Sequence, residues 1–269
     1  MSYSRLIALL AIGLAASGLS PLAAQIDYRN LDDDRPVRTE DAYPIERFAF
    51  ELLLPYEYEN AVAGERVHVA APELAYGIIS NGQIGIKLPF AALDRESGTD
   101  WGFGGPRIFG LYNFNTEGPL LPAIAVRADL SLPVGNLAGD DPQLTLKGIA
   151  TRSWGASRIH LNAAVTLGAD DGRPVVEPEP DWALTLAVDR TLFRPSLLLV
   201  GEVAVLESSA AAPTEVTAGV GARYQLTPTL VLDLGASRRL REGVGPDLGL
   251  TLGLSHAFAF AGLLPDSSR

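Results

Sequence analysis

Between Pro246 and Phe260 the chain reads PDLGLTLGLSHAFAF, with leucine at every second position from Leu248 to Leu254 and Phe258 and Phe260 in the same parity. The intervening Gly249, Thr251, Gly253 and Ser255 are small or polar. Strand side chains alternate between the two faces of a sheet, so this segment has one apolar face and one wet face. Soluble strands commonly run to about 5–6 residues, and a tilted strand needs about 9–11 to cross a bilayer. The segment is long enough for the second role. It restricts the chain to a long two-faced sheet or a transmembrane barrel.

The N-terminus favours export. Arg5 precedes an apolar run from Leu6 to Leu19, and Pro21-Leu22-Ala23-Ala24 ends in small residues, so residues 1–24 read as a secretory signal. No later stretch has the roughly 18 consecutive apolar residues of a membrane-crossing helix. The chain has no cysteine, which excludes disulfides and thiolate metal sites. Its formal charge of −11 argues against a nucleic-acid partner, since phosphate contacts require Lys and Arg. Residues 25–44, QIDYRNLDDDRPVRTEDAYP, are crowded with Asp and Arg and have no sustained period. They are expected to form an exposed periplasmic N-terminal tail, and residues 261–269 a C-terminal tail.

From residue 45 to residue 260 the chain alternates repeatedly. The expected strands are 46–58, 65–78, 82–91, 105–114, 120–132, 142–154, 157–168, 180–190, 194–207, 214–226, 228–240 and 246–260. Pro72 and a parity shift from Val67 and Val69 to Leu74 and Tyr76 predict a bulge in the second. The odd-numbered connections are mostly long: 59–64, 92–104, 133–141, 169–179, 208–213 and 241–245. The even-numbered ones are mostly short and include Ser80-Asn81-Gly82, a tight-hairpin signal. Outer-membrane barrels sort loop lengths in this way, and a soluble sandwich has no reason to. The fold class expected is all-β, a transmembrane antiparallel barrel of about twelve strands in the outer membrane. Its partners would be membrane lipids, lipopolysaccharide and the barrel-assembly machinery.

Parity assigns an uncharged outward set that includes Phe50, Leu52, Ile84, Ile86, Val126, Leu146, Leu161, Leu186, Val220 and Leu234. The lumen-lining candidates are Arg47, Glu51, Lys87, Arg107, Arg127, Asp129, Lys147, His160, Asn162, Asp189, Glu202, Arg223 and Asp233, with Asp181, Glu215 and Arg239 of the same parity. Cations and acids are nearly balanced in this set. Either salt-bridged packing or an eyelet that screens polar solutes would use such a lining. Tyr56, Tyr58 and Trp182 fall near the expected outer rim, and Phe48, Trp154, Tyr224, Phe258 and Phe260 near the periplasmic one.

Catalytic signals are weak. His160 and Asn162 share a face, but the sequence sets no serine beside them and has no Gly-x-Ser-x-Gly elbow, so they read as a hydrogen-bonded lumen pair. His68 and His256 have no metal-ligand spacing. Asp32-Asp33-Asp34, Asp140-Asp141 and Asp170-Asp171 match no calcium loop and read as solvated charge. Gly102 to Gly105 precede no helix, so they are not a phosphate cradle. No cofactor, metal or catalytic residue is expected.

The stretches IAVRADLSLPVG, TLKGIATRSWGASRIHLNAAVTLG and GVGARYQLTPTLVLDLGASRRL, with the closing PDLGLTLGLSHAF, resemble outer-membrane barrels of the "meta-pathway of phenol degradation" transporter family. The similarity spans most of residues 45–260. It implies an outer-membrane barrel with an uptake role and leaves the solute open. The expectation is therefore a passive channel for small or hydrophobic solutes, through a polar lumen or a lateral opening, gated by the outer loops 92–104 and 169–179. A structural or adhesive barrel, a barrel-embedded lipid hydrolase and a soluble sandwich are the rivals.

Overall fold

The computed structural model describes residues 26–60, 65–168, 180–207, 213–260 and 263. The expected signal segment 1–24, the loop 169–179 and all of the tail 261–269 except Leu263 lie outside the described residues. The described chain is one antiparallel sheet of β1 (Ala49–Asn60), β2 (Arg66–Ala70), β3 (Glu73–Ile79), β4 (Gly82–Lys87), β5 (Phe90–Arg95), β6 (Gly98–Phe103), β7 (Arg107–Asn115), β8 (Ala123–Ser131), β9 (Gln143–Trp154), β10 (Ser157–Leu167), β11 (Trp182–Thr191), β12 (Leu197–Glu207), β13 (Glu215–Thr227), β14 (Leu230–Arg239) and β15 (Leu248–Ala259). β15 pairs with β1 along its whole length, from Ala49 opposite Ala259 to Asn60 opposite Leu248, and this closes the sheet. The pairs β2–β3, β4–β5 and β6–β7 are each two halves of one crossing strand, so the closed barrel has twelve strands.

The divided strands share one cause. Ala71-Pro72, Leu88-Pro89 and Gly104-Gly105-Pro106 sit at the three breaks, and on β1 the residues Leu54 and Pro55 have no partner on the β2–β3 side. Proline has no N–H to donate to a ladder. The breaks are bridged by single bonds: Leu88 donates to the Pro72 carbonyl at 2.9 Å, Gly104 to Pro89 at 2.9 Å and Leu132 to Pro106 at 3.0 Å. A belt of prolines thus crosses one side of the wall where its hydrogen bonding is thinnest. The bulge expected from Pro72 appears as this break, with a further register shift between Gly77 and Ile79.

Two expectations are corrected here. Residues 92–104 are not an outer loop. They belong largely to β5 and β6, joined by a turn at Glu96-Ser97. Pro89 and Pro106 interrupt these strands without ending them. Alternation beyond Pro89 is hidden because Ala91, Ala92 and Leu93 are all apolar, and Val69, Ala71, Ala91 and Leu93 form a buried cluster with Leu137. Arg47 does not line the lumen. It is exposed, precedes β1, and lies with its guanidinium 4.4 Å from the Phe48 ring centre. Phe48 has a φ of 68°, so the strand parity counted back from Phe50 is lost there.

Elsewhere the outward parity holds. Ile84, Ile108, Val126, Leu146, Leu161, Leu186, Val203, Leu234 and Leu252 are all large apolar side chains exposed on the outer wall. Most of the short turns, at 80–81, 155–156, 192–196 and 228–229, lie at the end where β1 begins and β15 ends, the periplasmic end in barrels of this kind, and the turn at Glu96-Ser97 lies at the other end. There Phe50 stacks on Tyr76 at 4.5 Å and on Phe258 at 5.5 Å, and meets Phe260 edge-on at 5.3 Å, so aromatic rings cover the closing seam.

Leu252 faces outward at mid-wall, opposite Tyr56 on β1 and Leu234 on β14. Leu252→Arg should lower the unfolding free energy in lipid vesicles by about 2–4 kcal/mol, the cost of a cation at the bilayer midplane. Urea titration of the reconstituted protein checks this, and an unchanged midpoint would place Leu252 off the lipid face.

Candidate functional site: a lumen filled by its own N-terminus

The segment before β1 is not an exposed tail. Leu31, Arg35, Thr39, Glu40, Asp41 and Ala42 are all buried, because residues 26–44 fold into the barrel as a hairpin. The hairpin begins at the periplasmic end, where the Ile26 N–H donates to the Pro228 carbonyl and the Gln225 amide donates to the Ile26 carbonyl, both at 3.0 Å. It turns at Asp32 to Pro36. The Asp41 N–H donates back to the Leu31 carbonyl at 3.1 Å, joining the two legs. The return leg leaves past Thr151, Asn113 and Gln83, which bond to the backbone of Ala42 and Ile45.

The wall is shaped for this turn. Gly221 and Gly235 are opposite each other on β13 and β14. A Cβ on Gly235 would lie 1.9 Å from the Pro36 carbonyl oxygen, and one on Gly221 would lie 2.7 Å from the Pro36 ring. Thr251 donates to that same carbonyl at 2.9 Å. Only residues without side chains leave room for the hairpin here.

Ion pairs latch the hairpin to most of the circumference. Asp32 meets Arg223 at 2.8 Å and Arg35 at 2.9 Å. Asp33 pairs with Lys147 in close contact and with Arg127 at 3.6 Å, and Asp34 meets Lys87 at 3.6 Å. Arg35 reaches Asp233 at 3.3 Å, Glu40 reaches Arg127 at 3.0 Å, and Asp41 reaches Arg158 at 3.0 Å. The expectation that Asp32-Asp33-Asp34 is solvated charge is therefore corrected: each aspartate faces a different cation of the wall. Burial raises the Asp33 carboxyl, but Lys147, Arg127 and Lys87 outweigh it and hold the group well below the usual carboxylate range. Burial also pushes Glu40 up, to about 8, and Arg127 and Lys147 offset this only in part.

The other predicted lining residues fall into the same network. Arg127 also holds Asp129 at 2.9 Å and lies 3.9 Å from the centre of the Phe109 ring. Arg107 donates to the Ser131 hydroxyl at 3.2 Å. His160 is fully buried, with Nε2 3.0 Å from Asp189 and Nδ1 3.0 Å from the Thr151 hydroxyl. Asn162 pairs with the Glu40 backbone, accepting from its N–H at 2.8 Å and donating to its carbonyl at 2.9 Å. Glu202 accepts from the Thr39 N–H and hydroxyl, each at 2.6 Å. Arg223 meets Asp233 at 2.8 Å. Glu51 is buried on β1. Sequence reasoning missed Arg158 and Glu73. Arg158 shares the parity of His160 and Asn162 and was legible. Glu73 was hidden by the break at Pro72.

Above the hairpin, toward the outer end, lies a cavity of about 410 Å³. Glu57 and Glu59 of β1, Glu202 of β12 and Glu215 of β13 line it. Val67, Val69, Leu93 and Arg107 line the side built from the broken strands, and Arg38 from the hairpin reaches Glu59 at 3.7 Å.

Solved structures similar to this chain are outer-membrane barrels. An outer-membrane channel of Pseudomonas putida F1, described as COG4313, matches with a TM-score of 0.64 at 15% identity, over 85% of this chain and 100% of that one. The KdgM porin, solved in complex with disordered oligogalacturonate, matches at 0.54 and 11% identity, over 77% of this chain and 99% of that one. The β-domain of the Bordetella autotransporter BrkA matches at 0.52 and 13% identity, over 78% of this chain and 99% of that one. At these identities the likeness concerns the fold. None of the curated proteins compared matches. The family model described as "Putative MetA-pathway of phenol degradation" matches residues 34–257, from the turn of the lumenal hairpin almost to the end of β15, and the chain belongs to that family.

Proposed function

We propose that this protein is a passive outer-membrane channel for small solutes, in which the N-terminal hairpin sets the passage. The observation that carries this is the combination of an outer cavity of about 410 Å³ with a floor formed by the hairpin, whose Pro36, Val37 and Arg38 line it. The family and the channel and porin folds support the same reading. Solute collects in the vestibule, and passage follows when the hairpin shifts from the lower lumen. The vestibule sets the carboxylates of Glu57 and Glu59 beside Val69 and Val67, which suits solutes with an apolar part and a polar group. The proline belt borders these valines. It is the part of the wall where a hydrophobic solute would find the fewest inter-strand hydrogen bonds to part.

A hydrolytic role has less support. The His160 ring is wholly enclosed between Thr151, Asp189 and the hairpin, and its hydroxyl partner Thr151 is also bonded by the Ala42 N–H at 3.0 Å. No substrate carbonyl can reach it with the hairpin in place.

Gly235→Val removes the space for Pro36 while leaving an uncharged inward residue. In planar bilayers this variant should show a conductance several-fold above that of the unaltered protein, while remaining a folded barrel that shifts on gels only after boiling. An unchanged conductance in the folded variant would show that the hairpin does not control passage. Vesicles containing the protein should release no fatty acid, with or without added calcium, and His160→Ala should leave that baseline where it is. A release abolished by His160→Ala would overturn the channel reading in favour of an enzyme.

A further inference from the structure

Four cations stand on consecutive strands of one side of the lumen: Lys87 on β4, Arg107 on β7, Arg127 on β8 and Lys147 on β9. Lys87 is directly opposite Arg107, and Arg127 directly opposite Lys147. Like charges opposite each other across strands are destabilising, and a buried cation is costly without an anion. Lys87, Arg107 and Arg127 are nonetheless only 3%, 4% and 1% exposed. Asp129 on β8 pairs with Arg127 at 2.9 Å. Glu73 on β3 is directly opposite Lys87, and the hairpin adds Asp34 on Lys87 and Asp33 and Glu40 on Lys147. A second cavity, of about 50 Å³, adjoins Asp33, Asp34, Asp129 and Lys147, so the seam between hairpin and wall is incompletely packed. The outer vestibule reaches Asp34 and Arg107 directly.

We propose that this basic wall is a binding site for carboxylate solutes, and that Asp33 and Asp34 are a resident substitute occupying it. A compact dicarboxylate offers the wall what two neighbouring aspartates offer it now, and it would take their place as the hairpin withdraws. The inference rests on the channel reading for its physiological meaning, but binding can be measured without conduction.

The test uses succinate as the probe, titrated calorimetrically into full-length protein in detergent at fixed ionic strength. Asp33→Asn/Asp34→Asn should bind succinate, whereas the unaltered protein, its site occupied, should bind at least tenfold more weakly. Adding Lys147→Gln to the double variant should weaken binding by tenfold or more, and raising the salt should weaken it further. Gly235→Val, which displaces the hairpin by a different route, should also gain binding and serves if the double variant does not fold. A folded variant of either kind that binds no succinate overturns the proposal, as does binding that Lys147→Gln leaves intact. Conductance of the same variants is read separately. Variants that conduct without binding sink the carboxylate site alone, and variants that bind without conducting sink the channel reading.

Discussion

Charges buried inside this barrel require partners, and the rest of the lumen is arranged around that requirement. Removing one partner of a buried ion pair typically costs about 3–5 kcal/mol, because the other charge is left without water or counter-charge. Wall acids meet part of that requirement, with Asp129 on Arg127, Asp189 on Arg158 and Asp233 on Arg223, and the hairpin meets more. Lys87, Lys147, Arg158 and Arg223 each meet a carboxylate of the hairpin, while Asp233 and Glu202 receive Arg35 and Thr39 from it. The hairpin is thereby a structural part of the barrel and also its obstruction. A channel closed this way can open only by exchanging those ion pairs for others or for water.

The wall itself is uneven. On the side from β8 to β15 the ladders run long, with paired registers of eight to eleven residues. On the other side, prolines 72, 89 and 106 cut three successive strands at one level, and beyond the cut the inward face becomes apolar around Val69, Leu93 and Leu137. Acidic and apolar side chains alternate around the vestibule, with Glu57 beside Val69 and Glu59 beside Val67. The wall thus has a fully laddered part and a part interrupted by prolines, and both contribute residues to the outer cavity.

Much of this was legible beforehand. The barrel class and strand number followed from period-two alternation, since a strand exposes its pattern directly and a lipid face tolerates no charge. Leu248 to Leu254 and Ile84 to Leu88 are the plainest instances. The inward parity of Lys87, Arg127, Lys147, His160 and Arg223 follows from the same rule, and Arg158, two residues before His160 in the expected strand 157–168, carries the same parity. Residues 92–104 failed because prolines in mid-strand look like loop ends, and because apolar residues on both faces erase the alternation. Arg47 failed because the positive φ of Phe48 ends the parity.

What the sequence determined by itself is the barrel: twelve strands' worth of two-faced segments, an uncharged outer face, and polar residues left to point inward. These are local properties, fixed by the alternating direction of strand side chains. What only the tertiary structure decided is the fate of residues 26–44. A short, charged, aperiodic segment looks the same in water as in a lumen, because its composition does not say which charges it will meet. Asp32, Asp33 and Asp34 become latches only when Arg223, Lys147 and Lys87, far away in sequence, are carried by barrel closure around the same space. The Leu248–Ala259 strand that announces the barrel is also the one that closes it on β1, and closure is what creates the enclosed, low-dielectric interior in which those charges must pair.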